Sequence, residues 1–426
     1  METSQSITVL STHSDRPAIS QGGCRLNVLL RLNAPPLARA RSERQPVALA
    51  VVIDRSGSMA GAKLQAACAA AQQLVRQLTP ADRICVISFD SEVRTVVPLS
   101  PPSEEAITRI GRIRSGGQTA LFDGWRSGME SLLQAEELQH HQKRVLLLTD
   151  GQANVGLRRR SEVAPWVGTA QESAISTSCI GLGEDYEERL LIAMAEAGGG
   201  NLVHLTAPQQ LEAIFQAELE GLNLTLGRDL RLRVGLAEGV ALERLYNPIE
   251  PTTDGWIPLG SLQAGTTPTL ALQLLIAPAV ASAAGAVSEL LQVEARWITP
   301  DGEREQLEAL LRLPVVDPLT WEQLAIDPEV QREVLLQEAG RQRQRAMEGI
   351  DQGDLFSTRG SVEAALCSLE MAEASPEVEK ERQLLHELLD LISTNKLSLA
   401  RKVMGTQAFN RARSRKLRNQ ESSDAL

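Results

Sequence analysis

Between Pro46 and Leu222 short apolar runs alternate with segments whose apolar residues recur at helical spacing, and nothing else in the 426 residues restricts the fold as strongly. Val47 to Ile53 is apolar without a break, as a strand must be when both of its faces are covered. Leu64, Cys68, Ala71, Leu74, Val75 and Leu78 then mark one face of a helix that Pro80 ends. Ile84 to Phe89 predicts a second strand, with Val93 to Pro98 as its edge partner. Ser103, followed by Glu104 and Glu105, reads as a helix N-cap with acids in the first turn. Val145 to Leu148, Ile175 to Ile180 and Leu202 to Leu205 are further strands, separated by helical pattern. The alternation predicts an α/β domain over residues 45–222, with a doubly wound, mostly parallel sheet.

The flanks carry other periods. Leu224, Leu226, Leu230, Leu232, Val234 and Leu236 alternate with mostly polar neighbours, as do Leu270 to Ile276 and Leu291 to Trp297. Period two with one wet face predicts an antiparallel β-sandwich over 223–316. Ile7 to Leu10 and Leu26 to Leu32 share that style, so the strands of 1–40 are expected to join the sandwich, making the α/β domain an insertion. From Leu319 the pattern turns helical: one helix breaks near Gly353, a second carries Val362 to Ala372, a third starts at Ser375-Pro376 and a fourth runs beyond Leu397. The helical region is assigned 317–405, and 406–426 is expected to be a basic, disordered tail.

Composition removes several functions. A formal net charge of −11 and an aromatic content of 3% argue against nucleic acid as partner and against stacking platforms. The five cysteines form no C-x-x-C pair and read mostly as small buried hydrophobes. No charged n-region with an apolar core opens the chain, and no apolar run reaches the roughly 18 residues of a membrane span, so a cytoplasmic, reducing location is expected.

Directly after the first buried strand comes Asp54-Arg55-Ser56-Gly57-Ser58-Met59, a carboxylate and two hydroxyls at a strand's C-terminal end, where open α/β sheets bind ligands. Thr119, in the loop from Ser115, and Asp150, after the strand ending at Thr149, offer oxygens to the same crevice. Oxygen donors of this kind suit a hard cation. The runs VVIDRSGSM, GGQTALFDG and LLLTDGQAN, in this order, resemble the three segments of the metal-ion-dependent adhesion site of von Willebrand factor A domains. The resemblance covers about Pro46 to Leu222. It implies that Ser56, Ser58 and Thr119 bind a metal directly (Mg2+, or else Mn2+ or Ca2+), while Asp54 and Asp150 act mainly through metal-bound waters. It also implies that a protein partner's Asp or Glu completes the metal's shell, and that the last helix, about Pro208 to Leu222, can couple to the site.

Beside these, Asp123 and Asn154 read first as loop-stabilising residues and otherwise as supports of the site or partner contacts. Arg55 is expected to point to solvent and help select an acidic partner. His204 reads as core or edge, and His140 with His141 lacks the cysteines that would favour zinc. A nucleotide-using enzyme would need a glycine-rich phosphate loop after Ile53, and a hydrolase a G-x-S-x-G elbow; neither motif is present. Of the other duties known in the family, the missing signal disfavours an extracellular adhesin and the missing acidic, Pro-rich linker argues against a chelatase subunit beside an ATPase, while an assembly or stress-signalling scaffold stays open. The flanking sandwich is also similar to bacterial proteins grouped with inter-alpha-trypsin-inhibitor heavy chains and calcium-activated chloride-channel regulators. The expectation is a non-enzymatic scaffold or adaptor that grips an acidic side chain through bound magnesium.

Overall fold

A computed structural model describes residues 8–36, 45–278 and 285–412. Its contacts divide the chain into two units, one mainly residues 37–228 and the other built from both flanks, 1–36 with 229–299 and 303–416.

The flanking unit begins with β1 (Val9–Ser14), β2 (Ile19–Ser20) and β3 (Cys24–Asn33). The α/β unit then runs β4 (Val47–Asp54), α1 (Ala62–Gln77), β5 (Arg83–Phe89), β6 (Val93–Ser100), α2 (Glu104–Ile110), α3 (Leu121–Leu133) and β7 (Gln142–Thr149). It continues through α4 (Arg160–Glu172), β8 (Ile175–Leu182), α5 (Glu188–Ala197), β9 (Gly199–Leu205) and α6 (Leu211–Asn223). Its sheet has the order β6-β5-β4-β7-β8-β9, parallel except at β6. Every residue of β4 is buried, because both faces are covered. Val47, Leu49, Val51 and Ile53 share one cluster with Leu64, Ala71 and Leu74 of α1 and Phe215 and Leu219 of α6. The opposite face receives α3, and there Gly128 is required: a Cβ on it would stand 2.7 Å from Val52 Cγ2. β6 holds Pro98 and pairs irregularly with β5, both of which an edge strand tolerates.

Strand order reverses at β4, with β5 and β6 on one side and β7 to β9 on the other. The crevice beyond the carboxyl ends of β4 and β7 is therefore the topological switch point. On the same unit α6 is tied to three strands through one buried carboxylate. Glu218 accepts hydrogen bonds from Arg144 of β7 at 2.8 Å, Ser178 of β8 at 2.7 Å and Asn201 of β9 at 2.7 Å.

The later strands of the flanks are β10 (Thr225–Leu236), β11 (Val240–Leu245), β12 (Trp256–Gln263), β13 (Thr269–Ile276), β14 (Val287–Ile298) and β15 (Arg304–Val316). They form two sheets, β1-β3-β13-β11 and β12-β10-β14-β15-β2, so early and late strands share sheets on both sides of the α/β segment. Antiparallel pairing predominates; β2 on β15 is parallel. The helices are α7 (Pro318–Gln323), α8 (Pro328–Gln352), α9 (Leu355–Glu370), α10 (Pro376–Ser393) and α11 (Leu397–Ala412). Asp317, Asp327, Asp354 and Ser375 cap four of them through their side chains, and Gly353, at φ 72°, ends α8 in the left-handed region.

One boundary moves. The helical region does not stop at 405: α11 runs to Ala412, and Met404 and Phe409 are buried, so the start of the segment read as a tail belongs to a packed helix. Residues from 413 onward, and Ile7, lie outside the described residues. The cysteines are all free, with Cys68, Cys85 and Cys179 buried, Cys24 half-buried and Cys367 exposed. No helix among the described residues is long and apolar enough to cross a membrane.

Candidate functional site

Asp54 ends β4 with no exposure, and its carboxylate is held from two directions: the Ser56 N–H donates to it at 2.8 Å and the Thr149 hydroxyl at 2.5 Å. Burial raises its pKa from 3.8 to about 6; the hydrogen bonds from Thr149 and Ser56 oppose the rise, and the negative charge of Asp150 adds to it. The loop after Asp54 is stitched to its neighbours by backbone. Arg55 N–H donates to Phe89 at the end of β5, Gly116 N–H to Arg55, and Gly57 N–H to Gly117, at 2.8, 2.8 and 3.2 Å.

Those bonds bring the hydroxyls of the first segment to Asp150. Ser56 Oγ and Ser58 Oγ are 3.2 Å apart, and Ser58 donates to Asp150 Oδ1 at 2.6 Å. Thr119 arrives from the loop before α3 and is clamped by Asn154, which accepts from the Thr119 N–H at 2.7 Å and returns its own N–H at 3.1 Å. Gly151 locates the centre of the group. A Cβ built on it would lie 3.4 Å from both Ser58 Oγ and Thr119 Oγ1 and 4.0 Å from Asp54 Oδ2. The structure thus brings Asp54, Ser56, Ser58, Thr119 and Asp150 together around one glycine at the switch point. The donors are all oxygen, with two buried carboxylates among them, and such a set fits a hard divalent cation.

Residues around this group depart from the sequence reading in part. Arg55 does not point to solvent: it is 8% exposed, its guanidinium pairs with Asp90 at 2.8 Å and donates to the Arg114 carbonyl at 3.2 Å. The pairing lies beyond local sequence, since Asp90 follows β5 and reaches Arg55 only once β4 and β5 are side by side. Asn154 supports Thr119, whereas Asp123 pairs with Arg126 at 3.2 Å on α3. His204 lies next to the core, 2.9 Å from the Tyr186 hydroxyl, and His141 contacts the Ala81 carbonyl at 3.0 Å. Among the described residues no three His, Cys, Asp or Glu gather as a metal cluster. Two residues went unnoticed in the sequence. Thr149 precedes Asp150 directly, and Lys63, in the first turn of α1, places its ammonium on Asp150 Oδ2. Helical phase alone could have pointed Lys63 at the strand ends.

Residues 48–217 match the family model described as von Willebrand factor type A domain. The uncharacterized protein YfbK of Escherichia coli (strain K12) is 23% identical over 300 residues, 63% of this chain and 51% of that protein. Inter-alpha-trypsin inhibitor heavy chain H4 of Bos taurus is 33% identical over 158 residues, 35% of this chain and 17% of its own length. The chain therefore spans about half of the bacterial relative and less of the animal one. A solved structure, von Willebrand factor type A from Catenulispora acidiphila, superposes with a TM-score of 0.71 at 16% identity, covering 95% of this chain and 98% of that one. At that identity the likeness is one of fold, and it takes in the flanks as well as the α/β unit.

Proposed function

With residues 48–217 a von Willebrand factor type A domain, we propose that the chain is a divalent-metal-dependent protein-binding module, working as a scaffold or adaptor and not as an enzyme. The observation that carries this reading is the gathering of Asp54, Ser56, Ser58, Thr119 and Asp150 around Gly151 at the sheet's switch point. Ser56, Ser58 and Thr119 would hold magnesium (or manganese or calcium) directly, and Asp54 and Asp150 would hold its waters. Bound there by neutral hydroxyls, the cation would supply an electron-poor coordination position to a carboxylate from a partner.

The chain's own residues prepare for that. Asn154 fixes the Thr119 backbone through one side-chain and one main-chain bond, and Thr149 and the Ser56 N–H fix Asp54, so the donors keep their places. Lys63 neutralises part of the charge on Asp150 when no metal does so. The setting that goes with this reading is cytoplasmic and reducing, which suits five free thiols and is checked by cell fractionation.

The test is affinity capture with the full chain in magnesium, in EDTA, and with Asp54→Ala in magnesium. A partner retained only by the unmodified chain in magnesium supports the reading. Equal recovery in all three, with the variant folded, refutes it.

A further inference from the structure

The proposed metal site lies between two open clefts lined by arginine, although the chain as a whole has 43 basic and 54 acidic residues. On the β7 side, a cleft of about 510 Å³ begins at Gln152 and Ala153, directly after the Asp150-Gly151 segment. Arg158, Arg159, Arg160 and Arg189 line it against one carboxylate, Glu187. Arg158, Arg159 and Arg160 are exposed, and none of the three has an ion pair among the described residues. The cleft also opens at the first turns of α4 and α5, whose backbone N–H ends favour negative charge. On the β5 side a cleft of about 410 Å³ includes Arg55 and Ser88 at the strand ends, and five arginines with no carboxylate line it. Arg55, Arg94 and Arg109 there already have acidic partners, but Arg112 and Arg114 are exposed and form no ion pair among the described residues.

We propose that this rim binds an extended acidic segment of a partner protein, in which carboxylates flank on both sides the one offered to the metal. The inference rests on the metal-dependent reading above and adds the chemistry of the partner. A single carboxylate on the metal leaves at least five arginine charges unanswered within the two clefts, whereas an Asp/Glu-rich strand laid across the ends of β7, β4 and β5 answers them. Such pairs are exposed, so each adds little by itself and the effect is carried by their number and screened by salt. Arginine in place of lysine suits carboxylates, because its planar fork donates to two oxygens at once.

The experiment measures binding of two labelled synthetic peptides to the full chain by fluorescence anisotropy. Both have one central Asp; one is flanked by Glu and its twin by Gln. In magnesium the Glu-flanked peptide is expected to bind about tenfold more tightly, the sum of several exposed pairs, with the difference shrinking as salt rises. The triple variant Arg158→Gln/Arg159→Gln/Arg160→Gln and the double variant Arg112→Gln/Arg114→Gln each lose part of that preference. Both leave the magnesium dependence of the Gln-flanked peptide intact. Equal affinity for the two peptides, or a preference that survives in both variants, overturns the proposal. So does a single-stranded oligonucleotide that binds as tightly with the same arginine dependence. A Gln-flanked peptide indifferent to EDTA would instead sink the metal-dependent reading, while the Glu preference still reports on the arginines.

Discussion

Replacing Asp54 by Asn should stabilise the metal-free protein while abolishing its response to metal. Asp54 is fully buried and its pKa stands at about 6, against 3.8 for an ordinary Asp. A raised carboxyl pKa means that the folded state holds its proton more tightly than the unfolded one. The stability that goes with that proton is fully present below about pH 3.8 and is lost as pH rises through about 6. Above that, keeping Asp54 charged costs the metal-free fold about 3 kcal/mol, at roughly 1.4 kcal/mol per pKa unit. Asn is isosteric and fits the partners: its oxygen can accept the Ser56 N–H. Its amide can donate to Thr149 Oγ1, whose proton then turns to the Gly151 carbonyl 3.3 Å away. For an α/β domain of this size, about 3 kcal/mol corresponds to a rise in Tm of about 6–12 °C. The assay is thermal unfolding of the full chain and of Asp54→Asn, in EDTA and in magnesium, from pH 4 to 8. The gap in EDTA should open between about pH 4 and 6 and stay level above, and magnesium should raise the Tm of the unmodified chain alone. A variant less stable than the parent in EDTA at neutral pH, or one that still responds to magnesium, refutes the reasoning.

Three other outcomes are expected. Gly151→Ala should fold, since its methyl meets nothing closer than 3.4 Å, yet lose about 10–100-fold in manganese affinity by calorimetry because that methyl stands among the donors. Unchanged affinity would place the ion elsewhere. Lys63→Met removes the internal cation from Asp150 and should tighten magnesium binding about fivefold, the worth of a pair of about 1 kcal/mol; weaker binding would make Lys63 a support of the site. Glu218→Ala leaves the buried guanidinium of Arg144 with, among the described residues, only the Ser176 hydroxyl at 3.0 Å and should cost about 3–5 kcal/mol, read as a lower Tm of the α/β unit. A loss below about 1 kcal/mol would mean that water replaces the carboxylate.

What could be read from the chain alone was what rests on short-range pattern. The unbroken run of β4 requires cover on both faces, and the three oxygen-bearing segments each follow a strand or open a helix, so their meeting at the sheet's C-terminal edge followed from parallel order. β11 and β12 escaped notice for opposite reasons. β11 is mostly exposed and shows little apolar alternation, while β12 carries Pro258 and Gly260 within an apolar run. Arg55 was placed in solvent because its partner, Asp90, is brought beside it only by the pairing of β4 with β5. The end of α11 was set too early because Arg411 and its neighbours obscure the apolar contribution of Phe409, which is 4% exposed.

The attachment of α6 constrains how this domain could change shape. Glu218 is bonded to β7, β8 and β9 together, so a translation of α6 along its own axis would have to break three charge-assisted bonds in one event. α6 packs on α1, and α1 carries Lys63 to Asp150, so packed side chains connect α6 to the strand ends. Glu218 is therefore the point at which α6 is anchored to the sheet, and α1 is the element it shares with the residues around Asp150.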